Sequence, residues 1–185
     1  EEGRSIYQEL PNKLRTIWAD NIASMLAELM LLEGAYERAA ALAEESLAVF
    51  REKGDRGGIV WALLLSGNAA LGLGEHTRAA ALLKESLSVS QHRYRQQRVA
   101  EALPPLAGVA AAQAQPQRAA RLFGAAEAIF EAIGKPPLPY QRAQRDRDVA
   151  IVRTQLDEAA LEKAWAEGRA MTLEQAVAYA LEDEH

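Results

Sequence analysis

The chain has 185 residues, no cysteine and a formal charge of −5. Those three facts exclude a disulfide framework and a thiolate metal site, and they argue against a primary role on nucleic acid, where a basic face supplies the dominant affinity term. Hydrophobic residues make up 49% but aromatics only 6%, and Ala runs occur at 39–41, 79–81 and 110–112. Ala has the best helix propensity and lets helices pack closely, so an all-α chain follows.

The opening residues 1–10 read as half a repeat. Ser5-Ile6-Tyr7-Gln8-Glu9 corresponds to Ala48-Val49-Phe50-Arg51-Glu52 at a spacing of 43, as does Trp18 to Trp61. With Glu1 starting directly in a charged helical pattern, the expectation is a piece of a longer protein. The first full helix pair is predicted over 12–53: a helix from Asn12 to Glu33, a turn at Gly34, and a helix from Tyr36 to Lys53. Gly54-Asp55-Arg56-Gly57-Gly58 is a stop signal between pairs. The second pair occupies 56–91, with helices from about Ile59 to Leu73 and His76 to Gln91 around Gly74-Glu75. In the third, 94–134, Pro104-Pro105 predicts a kink or a restart, because interior proline removes hydrogen bonds and clashes with the preceding turn. Its turn is Ala114-Gln115-Pro116, and its second helix ends near Ile133. Residues 135–139 form a stiff Pro-rich connector. Over 140–185 three capping helices are expected, from Tyr140, Glu158 and Leu173, the last opened by a Thr172-x-x-Gln175 capping box.

Through this order runs one period. Arg38-Ala39-Ala40, Arg78-Ala79-Ala80 and Arg118-Ala119-Ala120 recur every 40 residues, followed by Leu42, Leu82 and Leu122. A period of that length signs stacked helical repeats. Gly34, Tyr36 and Ala39, and again Gly67, Gly74 and Ala79, resemble the tetratricopeptide signature in its long form. The tail from Ala119 through Phe123-Gly124-Ala125 and the proline connector to Trp165-Ala166-Glu167-Gly168 and Met171-Thr172-Leu173 resembles the C-terminal end of bacterial multidomain regulators. Those couple a P-loop ATPase core to a tetratricopeptide sensor, some with a helix-turn-helix, cyclase or kinase effector domain. The resemblance implies a right-handed superhelical stack of antiparallel helix pairs with a C-terminal helical cap. It departs from the signature where His76 and Pro116 replace the turn aromatic.

Enzymatic constellations are missing from the sequence. The sole Gly-Lys, at Gly134-Lys135, is followed by proline and opens no phosphate-cradling helix. No His-x-x-x-His pair offers metal ligands, and no Gly-x-Ser-x-Gly elbow surrounds Ser46 or Ser86, which read as small residues at helix crossings. The expectation is therefore no catalytic residue, no metal and no cofactor. Arg142, Arg145, Arg147 and Arg153 alternate with Asp146 and Asp148, a pattern of solvated ion pairs.

Two surfaces are candidates for binding. Mapping by the turn glycines puts Asn21, Ser24 and Glu28 beside Trp61, Leu64 and Asn68 on the concave face, with packing against the next pair as the competing reading for Trp61 and Leu64. The resemblance implies a ligand-facing role for Asn68, but the Lys and Arg of a carboxylate clamp are absent. The second candidate is the basic stretch His92, Arg93, Arg95 and Arg98, whose alternative is a solvated inter-repeat loop. The expected partner is a protein or peptide, including other domains of the same parent chain, with no direct nucleic acid, no membrane and a cytoplasmic location. A self-associating scaffold, making homo-oligomers, and a small-effector sensor are the alternatives.

Overall fold

The structure is a computed structural model that describes residues 12–90 and 95–182, with side chains described from residue 21 onward except Arg95. Nine helices and no strand occur among the described residues. They are α1 (Asn12–Glu33), α2 (Tyr36–Lys53), α3 (Arg56–Gly72), α4 (His76–Val89), α5 (Arg95–Ala112), α6 (Pro116–Ile133), α7 (Pro139–Gln155), α8 (Glu158–Arg169) and α9 (Leu173–Leu181). The half repeat expected over 1–10 lies outside the described residues.

One turn joins each of the first three pairs. After α1, the Gly34 N–H donates to Leu31 O and the Ala35 N–H to Met30 O. After α3, Gly74 and Glu75 donate to Leu71 O and Ala70 O; after α5, Ala114 and Gln115 donate to Ala111 O and Ala110 O. These are three copies, 40 residues apart, of the motif that satisfies the last carbonyls of a helix through a left-handed residue. Gly34 and Gly74 adopt φ of 73° and 77°, and Ala114 adopts 58°. Only Ala114 carries a Cβ there, which costs about 1–2 kcal/mol. Ala114→Gly is therefore expected to raise stability by about 0.5–1 kcal/mol, after the extra unfolded-state entropy of glycine is subtracted. Urea titration checks it, and a lower midpoint would contradict it.

The Arg-Ala-Ala period places Ala39, Ala79 and Ala119 at complete burial. Ser46 and Ser86 are buried one turn and more beyond them, as small residues at a crossing should be. Each helix from α1 to α6 packs on its neighbours in sequence, and α1 also touches α3, as α3 touches α5. Gly72 lets Tyr36 of α2 lie flat on α3; a Cβ there would collide with the ring.

One expectation changes. α5 runs without a restart through Pro104 and Pro105, which are both buried. Packing against α3, α4, α6, α7 and α9 holds it in place despite the donors the prolines remove. The C-terminal helices pack at different places on the repeats. α8 packs on α6, α9 crosses back to α4, α5 and α6, and α7 lies along α5 and reaches α1.

Candidate functional site

The face shared by α1, α3 and α5 is built from the positions of each first helix that the second helices leave uncovered. α3 is buried at most of its length, and Trp61 and Asn68 are among the few of its residues that stay partly open. On α1 the corresponding residue is Glu28; on α5 they are Gln97 and Arg98, with Glu101 buried beside them. These side chains form a polar centre. Gln97 donates to one oxygen of Glu101 at 2.7 Å and Arg98 to the other at 2.9 Å, and Lys135 of the connector donates to Gln97 at 3.0 Å. Burial raises the pKa of Glu28, the neighbouring Glu101 adds to the rise, and Arg98 opposes it.

α7 covers this centre. Its first turn is fixed by Pro139 and by Gln141, whose side chain accepts from the Leu138 N–H at 2.8 Å. Tyr140 then packs with Trp61 against the cluster of Ala27, Leu31, Leu65 and Ala69. Burial pushes its hydroxyl pKa up, and Glu28 and Glu101 push it further. Gln141, Gln144, Asp148 and Val152 fall at i, i+3, i+7 and i+11, one side of a helix. Asp148 enters the hollow left by Gly108, where an added Cβ would stand 3.1 Å from its Cγ. There its two oxygens accept from Gln144 at 3.1 Å each. At the far end Gln155 donates to Ala111 O at 3.4 Å.

The predicted site residues separate on this geometry. Glu28, Trp61 and Asn68 belong to the face, and Asn21 is half-buried above them. Ser24 and Leu64 do not reach the surface. Leu64 packs among Val60, Leu83, Leu87, Val99 and Leu103, as its competing reading had it, so matching positions by the turn glycine aligned the helices without fixing their rotation. Asn68 turns its amide donor to Leu64 O at 2.7 Å in its own helix. Of the basic stretch, His92 and Arg93 lie outside the described residues and so does the Arg95 side chain. Arg98 is bound into the polar centre rather than standing in a basic surface.

Asp148 corrects the reading of α7 as wholly solvated. Its burial raises its pKa, while the Gln144 hydrogen bond and the charges of Arg147 and His76 lower it less. A folded-state pKa above the unfolded value means the protonated form is favoured by folding, so this group's cost is present at neutral pH and fades as pH falls through the folded pKa. Asp148→Asn is expected to stabilise by about 1 kcal/mol at pH 7. The gain should shrink as thermal melts are repeated toward pH 4; a gain that grows would contradict the assignment.

Elsewhere, a cavity of about 360 Å³ lies between α4, α5, α6 and α9, with Lys84 and Arg118 at its edge. Both cations donate to carbonyls at the end of α9. Among the described residues no cluster of three His, Asp or Glu is placed to hold a metal, and no helix is long and apolar enough to cross a membrane. No protein family, curated protein or solved structure matches the chain.

A stripe on α1 is the other exposed feature. Five of the seven large apolar side chains exposed among the described residues are Ile22, Met25, Leu26, Leu29 and Leu32, at 42 to 51% exposure. The positions 40 residues on, including Ala62, Leu65, Ala69 and Gly72, are covered in α3, with Gly72 directly under Tyr36 of α2.

Proposed function

We propose that the chain is a non-catalytic helical-repeat interaction module of tetratricopeptide type, the regulatory part of a larger bacterial signalling or transcriptional regulator. Its helix pairs stack into a curved array, and the concave face of α1, α3 and α5 binds a peptide, a protein or another domain of its own chain. The observation that carries this reading is that a helix, α7, is seated on that face. Two further features support it. The turn motif repeats at 34, 74 and 114 with the same hydrogen bonds. First helices also approach closely across pairs, whereas α2 and α4 meet through the side-chain ion pairs Arg51–Glu85 and Arg78–Glu44, an asymmetry that bends a stack toward the first-helix side. Occupancy of the face would shift an attached domain only through different affinities for its two states. The full-length coding sequence tests the regulator reading: a Gly-x-x-x-x-Gly-Lys-Ser/Thr loop upstream supports it, and a stand-alone repeat chain sinks it.

The α1 stripe favours a second reading, a self-associating scaffold. Five half-exposed side chains offer each copy on the order of 500 Å², so a two-fold contact buries about 1,000 Å², the lower bound for a specific interface. On this reading sedimentation shows a concentration-dependent dimer that Leu26→Lys with Leu29→Lys abolishes. A monomer at every concentration rejects it.

A further inference from the structure

α7 is an unusual occupant for a helix-binding face. Of its seventeen residues only Gln141, Asp148 and Val152 are buried. Two of those three are polar, and one is a carboxylate that takes its two hydrogen bonds from Gln144 of the same helix. Among the described residues Gln155 reaches from α7 to Ala111 O at 3.4 Å, and Tyr140 and Asp148 sit by shape against the Trp61 cluster and Gly108. The contrast with α8 is large. That helix touches α6 backbone to backbone and carries a Trp, an Arg and a Glu bonded across the contact. The connector into α7, Gly134 to Leu138, is mostly exposed, with a left-handed Gly134 and two consecutive prolines. α7 thus has a hinge before it and a mixed seat under it, in which Tyr140 and Val152 anchor the helix on apolar clusters and a buried carboxylate stands between them, flanked by two firmly held helices.

We propose that α7 is a displaceable resident: the face of α1, α3 and α5 docks an amphipathic helix of a partner protein that carries an aromatic residue at the Tyr140 position and an uncharged residue at the Asp148 position. Asp148 keeps the resident weak. A partner helix fills the Gly108 hollow without bringing an ionised carboxylate into it, and so displaces α7 despite the advantage that tethering gives the internal helix. The inference rests on reading this face as a docking surface, but not on the nature of the parent protein. A missing upstream P-loop would remove the regulator assignment and leave the results below unaffected.

The probe is a fluorescent synthetic peptide of residues 137–156, made with Asp148 and with Asn at that position. Against the complete chain, the Asn peptide is expected to bind saturably and about tenfold more tightly than the Asp peptide. The same change made in the protein has the opposite effect: Asp148→Asn holds α7 down and weakens peptide binding by about tenfold. Tyr140→Ala in the protein loosens α7 and strengthens binding, with helicity by circular dichroism confirming the fold. Because the natural chain has no cysteine, Gly108→Cys with Asp148→Cys gives a clean lock. Oxidised, it is expected to bind no peptide; reduced, it binds again, but more weakly than the parent chain, because an uncharged side chain stands at 148 and a side chain enters the hollow at 108. Equal binding to the oxidised and reduced lock would overturn the proposal, as would identical affinities for the two peptides, or an Asp148→Asn chain that binds as its parent does. A covalent dimer from the oxidised lock would show that α7 is exchanged between copies, and would overturn it too.

Discussion

Gly168→Val is expected to lower stability by about 3 kcal/mol, the combined effect of overpacking and of lost contacts between α6 and α8. A Cβ at Gly168 would collide with the carbonyl of Arg121, and one at Gly124 with the carbonyl of Trp165, so the two helices meet with no side chain between their backbones. Around that contact Phe123 and Trp165 stack with centroids 5.8 Å apart, and the Trp165 indole donates to Glu127 at 2.8 Å. Arg169 reaches both Glu127 and Glu131, and Arg121 reaches Glu167 at 2.7 Å. Each of these interactions depends on the close approach and is lost when valine forces the helices apart. Half-exposed ion pairs alone would be worth little; it is the stack and the indole bond that make the loss large. Urea titration followed by tryptophan fluorescence reads the effect. Lys163→Val, on the exposed side of α8, is the control and should leave the midpoint almost unchanged. Equal midpoints for the two variants would refute the backbone contact.

Arg118→Ala is the second large effect, about 3 kcal/mol, with fraying of α9. Arg118 is only 8% exposed. Its Nη2 donates to Tyr179 O at 2.9 Å and to Glu182 O at 2.8 Å, and its guanidinium lies 5.0 Å from the centre of the Tyr179 ring. A cation on the last carbonyls of a helix satisfies acceptors that no intrahelical donor can reach and opposes the negative end of the dipole. Lys84 adds to this from α4, donating to Glu182 O at 3.2 Å. The repeat supplies its own controls. Arg78, 40 residues earlier, is an exposed arginine that pairs with Glu44 and Glu75, and Arg38 is exposed. Alanine at either is expected to change stability little, because exposed pairs contribute at most about 1 kcal/mol. Thermal melts of the three variants should rank Arg118→Ala far below the other two; similar melting temperatures would contradict the clamp.

That comparison shows what a period can and cannot reveal. Arg38, Arg78 and Arg118 occupy one repeat position, and the buried alanines beside them follow from it. Whether the arginine faces water, a neighbouring pair or a returning C-terminal helix depends on contacts made by residues up to 64 positions away. The helix pairs and their turns were readable because glycine, proline and alanine act locally. Even the third turn kept the geometry of the first two, although its left-handed residue is an alanine.

The seat of α7 was not readable in the same way. Hydrophobic periodicity is the signal that marks a buried helix face, and the face α7 buries mixes Gln141, Gln144 and Asp148 with Tyr140, Val149 and Val152. Surrounded by Arg142, Arg145, Asp146 and Arg147, that stripe has the composition of a solvated exterior. Its sequence-level traces are the i, i+3, i+7, i+11 spacing and the short apolar run Val149, Val152 and Leu156, set against a glycine in the otherwise tightly filled α5. Ser24 and Leu64 illustrate a related limit: alignment by a turn fixes position along a helix, while the direction a side chain faces depends on which neighbours surround it. On α3, packed against α1, α2, α4 and α5, few directions stay open.

Oxidising the otherwise cysteine-free chain after Gly108→Cys and Asp148→Cys tests the seating of α7 on α5 most directly, because a disulfide needs Cβ atoms about 3.5–4.5 Å apart. The account predicts rapid, near-complete formation of an intrachain bond under mild oxidant, in a monomer with native helicity. Two thiols that stay free under those conditions, in a chain that is otherwise folded, would contradict it.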